Sequence, residues 1–600
     1  MYVEAYLRHG LRLLLPLAIA STIYLYLYPF FGSCAFPVES KSATEAFELT
    51  KQLHWPYAGG KEALDQLPTR LAPFRLLALG DPQLEGDTSI PIQVFGFMPH
   101  VKSLFEHVTF QTEHWSFRWR VRQIMHDAVD IVIEDIPYIA ESLRKHIDLF
   151  GNDFYLAHIY RTVRWWTRPT HVTVLGDLLG SQWIDDEEFE RRARRFWKRS
   201  FKGGERLPDE LAAYPVEKYN ITGYLDGSIE QGIWTKRILN VAGNHDIGYA
   251  GDLTIERMDR FEKAFGKANY ELRFELPGGG PDGYSVTGGG EKTVQAGKIP
   301  PQLRIIVVND MNLDTPAKEP KLQDDTYQFI NAAISNSPAV ENKGHFTLVL
   351  THIPLFKPEG VCVDAPFFEF HPAEEGGGIK EQYLLSNDAS RGFLEGIYGV
   401  NADTTVAGEG RGRQGLILNG HDHEGCDTFH FVNQTNGTSG ADRPWEVRRW
   451  AEAVAEGIPG KEGHPGRREI TVRSMMGDFG GNAGLLSLWF DRDAWEWKYE
   501  FANCALGTQH FWWTVHSLDF AVLVFSLVYA IVGRLVTKGV DVDRWMLDNV
   551  VKPVKRWVEV VMDTRIEVKI VSVSQRRKEV EKTTEEERRK KAAQGNGKRK

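Results

Sequence analysis

Five short polar clusters stand directly after apolar runs. They are Gly80-Asp81, Gly176-Asp177, Gly243-Asn244-His245-Asp246, Thr351-His352 and Gly420-His421-Asp422-His423. A lone Asp after a strand is usually a turn residue, and a lone His is more often a satisfied polar side chain than a ligand. That bland account would have to hold five times, four of them beside Gly. Carboxylate, imidazole and amide groups in this combination suit two divalent cations roughly 3.5–4 Å apart, clamping a phosphoryl group and the attacking oxygen. One carboxylate must then serve both cations, and Asp177 is the candidate. In the central cluster Asn244 offers an amide ligand, His245 an imidazole for proton transfer and Asp246 a carboxylate to orient it. Gly lets backbone and phosphate approach closely.

Such clusters need strands to present them. Phe74–Leu79, Val172–Leu175, Arg237–Ala242, Leu303–Val308, Phe346–Leu350 and Gly415–Leu418 are apolar runs of strand length. Continuous apolar runs mark strands covered on both faces, and α/β sheets carry ligands beyond the carboxyl ends of their strands. Glu469–Arg473 and Leu485–Phe490 are expected as closing strands, and helices are expected from Asp185 to about Lys202 and over Ile255–Phe265. Residues 431–468 read as an insertion loop, and Gly278–Gly280 and Gly288–Gly290 as surface loops. A helical stretch from about 100 to 168 is rich in Trp, Arg and His. It either packs on a sheet or lets Arg161, Arg164, Trp165 and Trp166 lean on lipid headgroups.

The chain has 600 residues, 42% hydrophobic and 25% charged, enough for a large core. Its formal net charge of -10 excludes the basic face of a nucleic-acid binder. Only from Arg534 onward do Lys and Arg outnumber Asp and Glu. Leu11–Phe31 and Phe511–Gly533 are apolar runs of about the ~20 residues that cross a bilayer. Arg8 and Arg12 precede the first, and Arg534, Lys538 and Arg544 follow the second. The positive-inside rule therefore places both termini in the cytosol and the middle segment on the far side. A cleaved signal peptide is the competing reading of the first run; its length favours an uncleaved anchor.

The expected organisation is a cytosolic N-terminus (1–10), a transmembrane helix (11–32), a luminal stalk (33–70), a luminal domain (71–508), a second transmembrane helix (511–533) and a basic cytosolic tail (534–600). Residues 551–561 could lie on the membrane surface, and the tail from Gln575 is expected to be disordered or loosely helical. Three sequons, at Asn220, Asn433 and Asn436, fall in the middle segment as glycosylation candidates. Cys34, Cys362, Cys426 and Cys504 lie there too; an oxidising lumen permits disulfides, but pairing is not readable from sequence. With no CxxC, a zinc ribbon has no support. Asp519 and His516 sit one helical turn apart in the second span, either as a functional intramembrane pair or near the interface.

The order of the five clusters resembles the calcineurin-like metallophosphoesterase superfamily, over roughly residues 75–425. The resemblance implies a four-layer αββα sandwich, here flanked by two transmembrane helices. It implies a first metal held by Asp81, residue 83, Asp177 and His423, and a second held by Asp177, Asn244, His352 and His421. His245 would protonate the leaving oxygen, with Asp246 supporting it. Gln83 stands where the superfamily usually has His. It either binds through oxygen, which suits Mn²⁺ or Mg²⁺ better than Zn²⁺, or is not a ligand, or marks the loss of the first metal.

More specifically, Gly80-Asp-Pro-Gln-Leu84, Leu175-Gly-Asp-Leu-Leu-Gly-Ser-Gln182 and Gly243-Asn-His-Asp-Ile-Gly-Tyr249 resemble the membrane-bound branch that remodels GPI anchors in the endoplasmic reticulum, its fungal members above all. That implies removal of an ethanolamine-phosphate side branch from the GPI glycan, dependence on two Mn²⁺ ions and a role in export. GPI-anchored proteins or GPI lipid would be the substrates, and cargo receptors for export the partners. The competing readings are a luminal phosphomonoesterase or nucleotidase, and a catalytically weakened trafficking or binding protein marked by Gln83.

Overall fold

The apolar runs become the middle strands of two sheets. A computed structural model describes residues 2–55, 70–111, 116–212, 221–226, 229–277, 300–435, 443–476 and 480–560. Asn220, Asn436, both Gly-Gly-Gly loops and the tail from Gln575 lie outside these residues. The chain divides into two compact units, Tyr24–Trp513 and Met1–Ile23 with Thr514–Lys600.

In the larger unit, one sheet has the spatial order Glu496–Ala505, Asn482–Asp491, Phe74–Leu79, His171–Val174, Arg237–Asn240, Glu205–Arg206. The other runs Trp445–Arg449, Cys426–Val432, Gly466–Thr471, Gly415–Asn419, His345–Leu350, Gln302–Val307, Tyr270–Glu275, Gly223–Tyr224. In the first sheet Leu79, Val174 and Asn240 end in line in parallel strands. In the second, Val307, Leu350 and Leu418 do the same. Side chains alternate across a strand. Phe74, Leu76 and Ala78 therefore share one buried cluster with Leu303, Ile305, Leu348 and Leu416 of the other sheet. The architecture is mixed α/β, with both sets of strand ends available to a site.

Two expected irregular segments carry structure. Residues 431–468 contain the strand Trp445–Arg449 and the helix Trp450–Ala455 besides loop. The expected stalk holds the helix Ala43–His54, capped by Ser42, and Cys34 pairs with Cys504. The second disulfide joins Cys362 and Cys426.

The stretch from 99 onward forms the helices Pro99–Val108 and Phe117–Asp130. The latter runs through a π-helical turn, Ile131–Asp135, into Ile136–Thr167. Trp166 is fully buried, stacked on His54, and donates its indole N–H to Cys34 O at 2.7 Å. Arg164 donates to Thr235 O at 2.9 Å. Trp166 and Arg164 thus pack on the domain, as the first of the two readings expects, while Arg161 and Trp165 stay exposed.

The smaller unit contains most of two helices long and apolar enough to cross a membrane, Tyr2–Tyr26 and Gln509–Thr537. Asp519 accepts the Thr22 hydroxyl at 3.0 Å. A partly buried carboxylate thus gains a donor from the other apolar helix.

Candidate metal centre

All five clusters follow strand ends, three from each side of the sandwich once a sixth is counted. Asp81, Asp177 and Asn244 follow the parallel strands of the first sheet; His352 and His421 follow those of the second. Sequence reasoning missed Asn309-Asp310, which follows Gln302–Val307 and shows the same strand-end signature. Buried Asp310 accepts the His352 backbone N–H at 3.4 Å, and burial pushes its carboxyl up to about 7.

The loops are tight. Asp81, Gln83, Asp177 and His421 all have left-handed backbones, with φ of 44°, 41°, 48° and 70°. Non-Gly residues in that region store strain and gather at functional sites. Gly176 has φ 96°, and a Cβ there would lie 2.1 Å from His352 Nδ1. A Cβ on Gly243 would lie 2.2 Å from the Asp177 backbone N. Those two glycines let three loops meet.

Two groups of candidate ligands form, Asp177 with His352 and His421, and Asp81 with Asp177 and His423; within each the ligand atoms lie within 4.8 Å of one another. Asp177 belongs to both. Asn244 completes the first group, because its Oδ1 lies 3.0 Å from both His352 Nε2 and His421 Nδ1. The opposite ring nitrogens are pinned: His352 Nδ1 donates to Leu175 O at 2.7 Å, and His421 Nε2 donates to Gln382 O at 2.8 Å. A histidine held this way turns its other nitrogen to a metal. An amide oxygen, two imidazole nitrogens and a carboxylate converging on one point fit a divalent cation.

Gln83 reaches the second group. Its Nε2 lies 3.2 Å from Asp177 Oδ2 and 3.1 Å from His423 Nε2. In this orientation the amide donates to the shared carboxylate; turned over, it would offer Oε1 instead.

The electrostatics agree with a cation site. Burial alone would raise Asp177, but His352, His245 and His421 hold its carboxyl well below the usual range. Asp81 is pushed up to about 8, chiefly by burial, with Asp177 adding repulsion against the pull of His352. Burial would lower His352, yet Asp177 and Asp81 push it up to about 10. His421 falls to about 3 through burial and the neighbouring His352, and His423 is also lowered by burial. Burial keeps His421 and His423 neutral, while His352 and the two carboxyls hold a proton between them that a divalent cation would displace.

His245 lies at the rim. Its side chain is 38% exposed and its Nε2 lies 3.9 Å from Asp177 Oδ2; its backbone N–H donates to Asp177 Oδ1 at 2.8 Å. Asp246 is fully buried. Its carboxylate accepts the N–H groups of Leu178, Leu179 and Gly243, at 3.1, 2.9 and 3.0 Å. It fastens the Asp177 loop to the Asn244 turn, so its hydrogen bonds support His245 through the backbone, not through the imidazole. Asn433 closes a local turn by accepting Thr435 N–H at 3.0 Å.

Beside the centre is a cavity of about 660 Å³, lined by Gln83, His423 and Arg473 on one side and by Leu149, Asn152 and Gln509 on another. The last three residues bring the long helix and the chain near the second apolar helix to the edge of the centre.

No protein-family model matches the chain. It is 28% identical over 554 residues to Protein TED1 of Saccharomyces cerevisiae, covering 83% of this chain and 93% of that protein. An uncharacterized Schizosaccharomyces pombe protein is 28% identical over 375 residues, covering 57% of this chain and 63% of that protein. Metallophosphoesterase 1 of Danio rerio is 22% identical over 309 residues, covering 49% of this chain and 62% of that protein.

Proposed function

We propose that this chain, a relative of the metallophosphoesterases, is a membrane-anchored phosphodiesterase that removes an ethanolamine-phosphate side branch from the GPI glycan. The observation that carries the phosphoesterase reading is the pair of ligand groups sharing Asp177. The sandwich is read as the middle of a four-layer αββα arrangement. The substrate reading rests on the likeness of the Gly80–Leu84, Leu175–Gln182 and Gly243–Tyr249 segments to the GPI-remodelling branch. Two apolar helices and two disulfides support a luminal domain anchored in the endoplasmic reticulum membrane.

Asp81, Asp177, His423 and Gln83 would hold one divalent cation, and Asp177, Asn244, His352 and His421 the other, with Mn²⁺ favoured by the oxygen-rich donors. Bound there, the ions would supply Lewis-acid polarisation of the phosphoryl oxygens and of the attacking water. The chain does the rest. Carbonyls of Leu175 and Gln382 orient the two imidazoles, and Asp246 sets the distance between the loops. His245, at the open rim, donates its proton to the sugar oxygen as the P–O bond to the glycan breaks. The cavity beside Gln83 and His423 receives one arm of the diester.

The test compares GPI glycans by mass spectrometry in cells lacking the protein, complemented with wild type or with Asp177→Asn. Retained ethanolamine-phosphate in the deletion and the Asp177→Asn line, but not with wild type, is expected. Fully trimmed glycans in the deletion would overturn the substrate assignment.

A further inference from the structure

Helices in water bury apolar residues and expose polar ones. The hairpin of Pro99–Val108 against Phe117–Ile147 does the reverse. Its inward side is polar: His100 Nδ1 donates to Asp135 Oδ1 at 2.8 Å, and the Ser103 hydroxyl donates to Asp127 Oδ2 at 3.0 Å. Gln123 donates to Asp127 Oδ1 at 3.0 Å, and Arg120 is buried over the Phe110 ring. Asp127, Asp130 and Asp135 are all buried. The outward side carries an apolar stripe, flanked by exposed polar residues such as His126 and Arg144. Val129, Val132, Ile133, Ile136, Leu143 and Ile147 are each more than half exposed. They follow the helical repeat as one stripe, which Phe117, Val121 and Met125 extend at intervals of four. On the facing helix Val101, Phe105 and Val108 repeat the pattern. An apolar surface this long exceeds what water-facing proteins leave uncovered.

We propose that this inverted hairpin lies in the headgroup–acyl boundary of the bilayer that the apolar helices enter. The same long helix supplies the reason. Its later turns hold the chain where it leaves both apolar helices. His158 Nε2 donates to Leu25 O at 3.0 Å, Tyr28 OH donates to Ile159 O at 3.0 Å, and Tyr155 OH donates to Gly507 O at 2.5 Å. The Trp513 indole rests on Gly151 so closely that a Cβ there would overlap it, 1.8 Å away. Residues 151–159 are therefore fixed at the level where the chain meets the membrane, and the stripe begins one turn before them.

Between Val129 and Leu143 the outward residues are apolar for about 21 Å at ~1.5 Å per residue. That is shorter than the ~30 Å hydrocarbon core, and the buried aspartates would be costly deeper in. The length suits an interfacial element and not a third span. Exposed Arg118 and Arg122 precede the band and exposed Lys102 lies on the facing helix, where long basic side chains reach lipid phosphates at the edge of an interfacial helix. The consequence reaches the metal centre, because Leu149 and Asn152 on this helix line the cavity beside Gln83 and His423. Seating the hairpin in lipid holds that cavity mouth at the membrane surface.

All four native cysteines are paired, so a single introduced thiol is the one that labels. Full-length Val132→Cys, Ile136→Cys and Ile147→Cys proteins, with exposed Glu456→Cys as control, would carry an environment-sensitive fluorophore. They would be reconstituted in phosphatidylcholine–phosphatidylserine vesicles with and without doxyl-labelled lipid. The three hairpin positions are expected to emit at shorter wavelength than the control and to lose intensity to doxyl lipid. Water-like, unquenched emission at all three would overturn the proposal. So would thiol cross-linking between copies at Ile136→Cys without lipid quenching, since a second copy would then cover the face. None of these readings depends on phosphodiesterase activity.

Discussion

Asp177 stands in both ligand groups and takes hydrogen bonds from the His245 backbone and the Gln83 amide. Asp177→Asn keeps the shape and removes the shared charge, so two-metal occupancy should fail. Purified protein is expected to hold fewer than two Mn²⁺ by elemental analysis and to lose hydrolysis of bis(p-nitrophenyl) phosphate to background. Gln83→Ala, which removes a neutral neighbour, should cost only about 10–100-fold, the range for groups that tune a metal site; equal loss would put Gln83 among the ligands. His245 sits at the rim, where a departing oxygen needs a proton. His245→Ala should slow release of an alkoxide by about 10²–10⁴-fold while sparing p-nitrophenolate, which leaves without one. Equal loss on both substrates would remove the proton-donor role. These residues were legible in the sequence because each interrupts the apolar pattern at a strand end. Asp246 was legible as a position only; two of its three backbone bonds come from Leu178 and Leu179, in a loop nearly seventy residues away in sequence.

At the scale of elements, the strand carrying Glu469 is held by a buried ion cluster. Lys357 Nζ lies 2.8 Å from Glu469 Oε2, His430 Nε2 also 2.8 Å, and the Asn419 amide donates to Oε1 at 2.6 Å. Asn419 ends the strand that leads to His421, so the cluster steadies the His421 loop from below. Burial would raise Glu469, but Lys357 and His430 outweigh it and hold the carboxyl well below its usual range. A depressed folded value means that the contribution to stability is complete above the unfolded pKa, about 4.3. It drains as pH falls through the folded value. Glu469→Ala leaves Lys357 buried and uncompensated, at a cost of about 3–5 kcal/mol, whereas Lys357→Met with Glu469→Leu should recover the part due to the lone charge, His430 and Asn419 still losing their acceptor. Thermal unfolding of both proteins checks this, and equal destabilisation would contradict the ion-pair account. Nothing in Glu469-Ile-Thr-Val-Arg473 signalled the cluster, because Asn419 and His430 lie on other strands and Lys357 in a loop.

At the scale of the molecule, the Cys34–Cys504 disulfide joins segments 470 residues apart. Closing so long a loop removes denatured-state entropy. Cys34→Ser with Cys504→Ser is expected to lower stability by about 2–5 kcal/mol, read as a lower unfolding midpoint in detergent micelles. An unchanged midpoint would show that helix packing alone holds the ends of the domain. The same region binds Tyr28, Gly507 and Trp513 to one helix, and that helix lines the cavity at the metal centre. Both edges of the larger unit, the hairpin and the site are thus joined through a single element.

The sequence by itself determined the strands, the polar clusters at their ends and the two apolar helices, because each depends on local runs and spacing of residue types. Phe74–Leu79 and Ile255–Phe265 agree to the residue. The tertiary structure decided what depends on contacts between distant segments. It paired the cysteines, brought Asn309-Asp310 beneath His352, gave Asp246 to the backbone and built strand and helix into a Gly-rich insertion. It also decided the hairpin. A stretch with Arg, His and Asp among its apolar residues has no simple one-dimensional polarity, and only the pairing of two helices turns its aspartates inward and its Val and Ile outward.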